Sequence, residues 1–193
     1  MSSLNLVSTR LADAPPTDAL YEYIVAGNGL FVRAEDSRIA ACIPLAYPKC
    51  RGLATVETYA RLKLPRISGG FLKLILENAR RKLPDESAYQ FVYRADHWVC
   101  IRPEQQATPS SVDYADIPEA VIDLHSHAEM GAFFSGTDDQ DEGGLRFYIV
   151  IGNVGDVPTI KARVGVYGHR WPVPVSTLFD SLYIFVEEKD GRL

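Results

Sequence analysis

Between positions 125 and 138 the sequence reads HSHAEMGAFFSGTD. Two of the chain's four histidines stand there two residues apart, ahead of a serine and an aspartate three residues apart, directly behind the apolar run AVIDL. In an extended strand, residues i and i+2 project from the same face, so His125 and His127 can converge on one ion while Ser126 points away. Neutral imidazole is a favoured zinc ligand at about 2.0–2.1 Å, and a catalytic zinc takes three protein ligands and leaves a fourth position open. A chain that reverses near Gly131 can bring the carboxylate of Asp138 back to complete a His-His-Asp set. Each piece also has an innocent reading. An H-x-H pair alone is weak evidence of a metal. Ser135-Gly136-Thr137-Asp138 is also an S-x-x-D capping box, in which the serine caps a helix and the aspartate reaches back to the cap's amide. The conjunction of both behind a buried strand is what a purely structural role does not explain.

Spacing separates this pattern from other metal motifs. A zincin needs H-E-x-x-H on a helix, and that string is absent. A cupin places its glutamate further along than Glu129, which follows His127 by only two residues. A metal-dependent hydrolase barrel with H-x-H on its first strand needs roughly 250 residues. The run Asp138, Asp139, Asp141, Glu142 is acidic enough for calcium, but Gly143 and Gly144 do not fit an EF-hand loop. Apart from Asp138, that run reads as a solvated helix surface.

The elements that must position these residues follow from periodicity. Residues 1–18 read as a loose lead-in. YEYIVAGNGLFVRAE reads as two strands about a Gly-Asn-Gly turn, with RIAACIPLA as a third strand. LPRISGG is a boundary signal, so the expected division is a β-rich section over 1–66 and a second domain over 67–193. FLKLILENARRKL carries Leu72, Ile75, Leu76, Ala79 and Leu83 at helical spacing, and Pro84 ends it. AYQFVYR and HWVCIR read as consecutive strands, PEQQATPSSVDYADIPE as a long loop, and AVIDL as a buried strand. LRFYIVIG and TIKARVGVYG follow as strands, and VSTLFDSLYIF is ambiguous between helix and strand. The expected architecture is an α/β (α+β) sandwich with a mixed sheet.

Composition narrows the function classes. Hydrophobic residues make up 47% of the 193, which suits a folded chain with a sizeable core. The net charge of −5, with no basic cluster beyond Arg80, Arg81 and Lys82, argues against nucleic acid as the main partner. MSSLNLVSTRLADAPP has no signal-peptide h-region and no run reaches membrane-spanning length, so a cytoplasmic location is expected. Cys42, Cys50 and Cys100 form no CxxC pair and read as small buried hydrophobes. His97 and His169 lack a partner at ligand spacing, and Trp98 and Trp171 read as packing residues.

The pattern H-x-H, seven residues, S-x-x-D resembles the JAMM motif of the JAB/MPN+ zinc metalloproteases, which release ubiquitin or ubiquitin-like proteins from conjugates. The resemblance covers about residues 70–170 and implies a JAB/MPN-like (cytidine-deaminase-like) mixed sheet flanked by helices. It implies zinc held by His125, His127 and Asp138. It also implies an upstream catalytic glutamate in a P-x-E context between the first helix and the next strand, where Pro84-Asp85-Glu86 stands. Glu86 is then the general base, with Glu129 in reserve, and Ser135 an oxyanion donor. Two departures are visible: Ala128 replaces a proline common after the second histidine, and SAYQF lacks a glycine common after the glutamate. Without the resemblance, Glu86 reads as an exposed loop residue. Across its whole length, through VAGNGLFVRAE, RGLATVE and RVGVYGH, the chain also resembles the protein A family of the bacterial PRTRC system. Those cassettes include a ThiF-related, E1-like protein and a small ubiquitin-like protein, which the resemblance implies as partners. The expected activity is zinc-dependent hydrolysis of a peptide or isopeptide bond. The alternatives are a non-catalytic MPN-like module that scaffolds an E1-like partner, and a hydrolase of small amides.

Overall fold

A computed structural model describes residues 7–12, 14, 15 and 17–188. The N-terminal sheet comprises β1 (Val7–Leu11), β2 (Tyr21–Ala26), β3 (Gly29–Glu35), β4 (Ile39–Ala46) and β5 (Tyr59–Leu62), in that spatial order. β1 pairs parallel with β2 and the other neighbours are antiparallel. The lead-in expected over 1–18 is therefore corrected: Val7–Leu11 form a strand, while residues 1–6, 13 and 16 lie outside the described residues. An edge strand of this kind is held by backbone pairing, so the polar composition of VSTRL did not mark it.

Helix α1 (Gly70–Lys82) follows, burying Leu72, Ile75, Leu76 and Ala79 on one stripe. Its last turn carries Arg80, Arg81 and Lys82, favourable at the negative end of the helix dipole. The second sheet contains β6 (Ala88–Arg94) and β7 (His97–Ile101). A separate hairpin, β8 (Gln105–Thr108) and β9 (Ser111–Tyr114), occupies the stretch expected to be a long loop. Gln105, Ala107, Val112 and Tyr114 are half-buried and alternate with exposed polar residues, but each strand is only four residues long, too short for its alternation to stand out from the Pro- and Ser-containing stretch around it.

Next come β10 (Ile122–Ser126), the short helix α2 (Gly136–Asp141), β11 (Leu145–Gly152), β12 (Thr159–Val166), β13 (His169–Pro172) and β14 (Val186–Glu187). The strand order is β13-β12-β11-β10-β6-β7, with β14 beside β12. β10 and β11 are parallel while β6 pairs antiparallel with β10, so the sheet is mixed as expected. The ambiguous stretch VSTLFDSLYIF resolves into a 3₁₀ turn at Val175–Thr177 and irregular chain around the buried Phe179.

The second sheet has two unlike faces. Phe91, Ile122, Leu124, Phe147, Ile149, Ile151, Ile160 and Val164 point into one core shared with α1 and with Val32, Ile39, Ala41 and Ile43 of the N-terminal sheet. The alternate residues of β6, β10, β11 and β12 face the other way, where α2 and the β8–β9 hairpin border a groove of about 550 Å³. The fold is thus a mixed α+β architecture that concentrates apolar burial on one face and polar chemistry on the other. No helix of the described residues is long and apolar enough to cross a membrane. Cys42 is buried, whereas Cys50 and Cys100 are only partly so; all three are free.

Candidate metal centre

Strand β10 places Asp123 and His125 on the groove face by simple alternation, and His127, one residue past its end, continues the pattern. His125 Nε2 lies 3.1 Å from His127 Nε2 and 3.2 Å from Asp138 Oδ1. Ligand atoms of the three residues all lie within 4.8 Å of one another. Metal–ligand bonds near 2.0 Å in a tetrahedron put ligand atoms about 3.3 Å apart, so the two separations from His125 Nε2 match the edges around a zinc-sized cation. Burial pushes both imidazoles toward the neutral form, against the pull of Asp138, and leaves lone pairs available for a cation. Burial would raise the Asp138 carboxyl, but His125 and the hydrogen bonds from Ser135 outweigh it and keep it ionised. Two neutral imidazoles and one carboxylate fit zinc.

Asp138 returns to the histidines because Ser135 starts α2. The Ser135 hydroxyl accepts from Asp138 N at 3.2 Å and Ser135 N donates to the Asp138 carboxylate, closing a capping box. The carboxylate's other oxygen, Oδ1, is the one facing His125. The capping box therefore leaves a ligand role open to Asp138: one oxygen caps, the other faces His125.

Glu86 is brought to the site by sheet register. Ala88 pairs with His125, Ser126 N donates to Ser87 O, and Ser87 N donates to the Ser126 hydroxyl. Continuing that antiparallel pairing sets Glu86 opposite His127. Glu86 N also donates to Thr108 O of the hairpin. The side chain is 4% exposed and lines the groove, unlike the exposed loop residue that position alone implies. Burial, followed by the charge of Asp138, pushes its carboxyl up to about 7. Glu129 is exposed and does not line the groove.

Other residues complete the groove without any motif to announce them. Asp123 is buried, accepting from Tyr114 Oη at 2.6 Å and from Gln90 at 2.9 Å, with Arg146 at 3.5 Å. This network fastens β9 over the sheet. The acidic run after Asp138 is not simply a solvated surface, which corrects the expectation. Glu142 is 8% exposed and ion-paired to Arg163 and Arg170, and Asp139 pairs with the same arginines. Periodicity could place Asp123 and Arg163 on a face, but their partners lie too far along the chain to be matched from sequence.

Two backbone features shape the segment between the ligands. Ala128 adopts a φ of 44°, closed to proline, whose ring holds φ near −65°. The substitution noted at this position therefore accompanies a different backbone path after His127. At Gly152, a Cβ would lie 2.3 Å from Ala132 N and 2.4 Å from Met130 O, so β11 ends in glycine where the loop crosses it. His97 is exposed, bonded to its own turn at Ala95 O, and His169 meets Tyr23 Oη at 3.1 Å, so neither belongs to the centre.

A solved structure, the solution structure of protein DSY2949 from Desulfitobacterium hafniense, is 16% identical, with 63% of this chain and 92% of that chain covered and a TM-score of 0.42. The search of curated proteins finds no match. Residues 71–165 match the family model described as prokaryotic homologs of the JAB domain, a segment that holds Glu86, both histidines, Ser135 and Asp138, and this match supports membership of the JAB/MPN family for that part of the chain.

Proposed function

We propose that the chain is a JAMM-type zinc metallopeptidase that hydrolyses a peptide or isopeptide bond. The observation that carries this reading is a buried glutamate with a carboxyl near neutrality, set by sheet register beside a His-His-Asp cluster of zinc-like spacing. A bound zinc supplies Lewis acidity and makes a water molecule acidic near pH 7. Glu86 takes the proton of the attacking water and hands it to the leaving amine, a role worth about 10²–10⁴ in rate. Its raised pKa suits both halves of that transfer, acceptance and release. Ser135 holds Asp138 through its oxygen lone pair, and its hydroxyl proton is available to the developing oxyanion. His125, kept neutral by burial, orients with His127 as ligand rather than as acid.

We propose that the groove of about 550 Å³ takes an extended acyl segment, a flexible C-terminal tail laid out as a strand. We further propose that this tail belongs to a ubiquitin-like protein, and that an E1-like, ThiF-related protein is the functional partner, as in the bacterial PRTRC cassettes. The test is hydrolysis of tail-linked peptide and isopeptide substrates, alongside small amides, by zinc-loaded protein. Cleavage that is lost on chelation, restored by zinc and absent in Glu86→Gln supports the reading. Zinc binding without cleavage of any of these substrates would make the chain a binding module instead.

A further inference from the structure

Helix α2 presents a mechanical difficulty. It carries Asp138 and is capped by Ser135, yet it is six residues long and buries none of them. So short a helix has little stability of its own, and no apolar face fixes its position on the sheet. Something else must hold Asp138 Oδ1 against the histidines.

We infer that Arg163 of β12, assisted by Arg170 of β13, is a positioning residue that clamps α2 to the sheet and so sets the third metal ligand. Arg163 grips both sides of Asp138 in sequence. Its guanidinium stacks over the ring of Phe134, the residue before the cap, at 3.8 Å. Its Nη2 lies 2.8 Å from both Asp139 Oδ1 and Glu142 Oε1, and its Nε donates to Glu142 Oε1 at 3.1 Å, just after the ligand. Arg170 Nε adds contacts to Glu142 Oε2 at 3.3 Å and to Asp139 Oδ1 at 3.4 Å, and its Nη2 donates to the Asp139 carbonyl. Tyr148 Oη of β11 tethers the following turn through Gly143 O at 2.7 Å.

The planar fork of arginine suits this task. Its plane stacks on an aromatic ring while its edge faces two carboxylates, an arrangement that the compact point charge of a lysine ammonium does not reproduce. The Arg163 side chain is 12% exposed and that of Glu142 is 6% exposed, so this ion pair is shielded from solvent, unlike surface pairs that contribute little, whereas Asp139 is half exposed. β12 is itself paired along eight residues with β11, giving the clamp a rigid base. Outer-shell groups of this kind typically alter metal affinity by about 10–100-fold.

This inference rests on the metal-centre reading, so the experiment has two arms. Zinc dissociation constants are measured by chelator competition for wild type, Arg163→Met and Arg163→Lys. Backbone hydrogen exchange of residues 135–142 is measured on the same proteins without metal, with the β10 and β11 amides as an internal control of the fold. Arg163→Met keeps an apolar stem and removes the fork, together with its stacking on Phe134. It should bind zinc about 10–100-fold more weakly and lose protection in α2 alone, with Arg163→Lys intermediate. Should Arg163→Met lose protection in β10 and β11 as well, Glu142→Gln, which keeps the volume and removes the charge, is measured in its place with the same expectation. A wild-type value in either arm overturns the clamp. If wild type binds no zinc, the hydrolase reading falls, and the exchange arm alone decides whether Arg163 holds α2.

Discussion

Replacing Glu86 by glutamine should make the metal-free protein more stable while removing its activity. The Glu86 carboxyl is 4% exposed and titrates near 7, against an ordinary value of 4.5. Burial is the larger cause, the Asp138 charge adds to it, and no hydrogen-bond donor opposes them. A folded-state pKa above the unfolded one means that the folded protein holds the proton more tightly. Stability is then unaffected below the unfolded value near 4.5, falls as pH rises between 4.5 and 7, and stays reduced above 7. A shift of this size corresponds to about 3 kcal/mol at pH 8. Glutamine cannot ionise, so Glu86→Gln should recover most of this at pH 8 and almost none at pH 4.5. Urea unfolding of chelator-treated wild type and variant at the two pH values measures the difference directly. Zinc should shrink the wild-type deficit, because a nearby cation favours the carboxylate. Equal stability of the two proteins at pH 8 would show that the Glu86 charge is not desolvated, and would refute the account of its raised pKa.

Protein purified without added metal should hold one zinc per chain by elemental analysis, and the double substitution His125→Ala, His127→Ala should abolish it. Ser135→Ala should act twice. Loss of the cap should cost about 0.5–2 kcal/mol in thermal unfolding, and loss of the oxyanion donor should lower kcat about a hundredfold with KM little changed. A wild-type turnover rate in that variant would leave Ser135 a helix cap only. Gly152→Ala forces a methyl group against the backbone of Gly131 and Ala132. It should weaken zinc binding by displacing the loop between the second histidine and α2, read out by chelator competition.

The parts legible from sequence were those whose geometry is local. Alternation along β10 placed His125 and His127 on one face, and S-x-x-D spacing folded Ser135 and Asp138 into one turn. Both follow from backbone periods of 2 and 3.6 and need no partner. The helix at FLKLILENARRKL was equally plain, because its apolar stripe repeats every three to four residues. Glu86 was different. Its motif context pointed to it, but its burial and its place opposite His127 come from the pairing of β6 with β10, across 37 residues between Ala88 and His125. The β8–β9 hairpin gives a weak signal because each strand is only four residues long and its half-buried side, Gln105, Ala107, Val112 and Tyr114, is only partly apolar. Likewise Asp139 and Glu142 read as solvated helix surface until the sheet brought Arg163 and Arg170 beneath them. A charge's environment depends on what long-range pairing sets beside it, and so ion pairs, buried carboxylates and the clamp on α2 emerge only when the sheet is assembled.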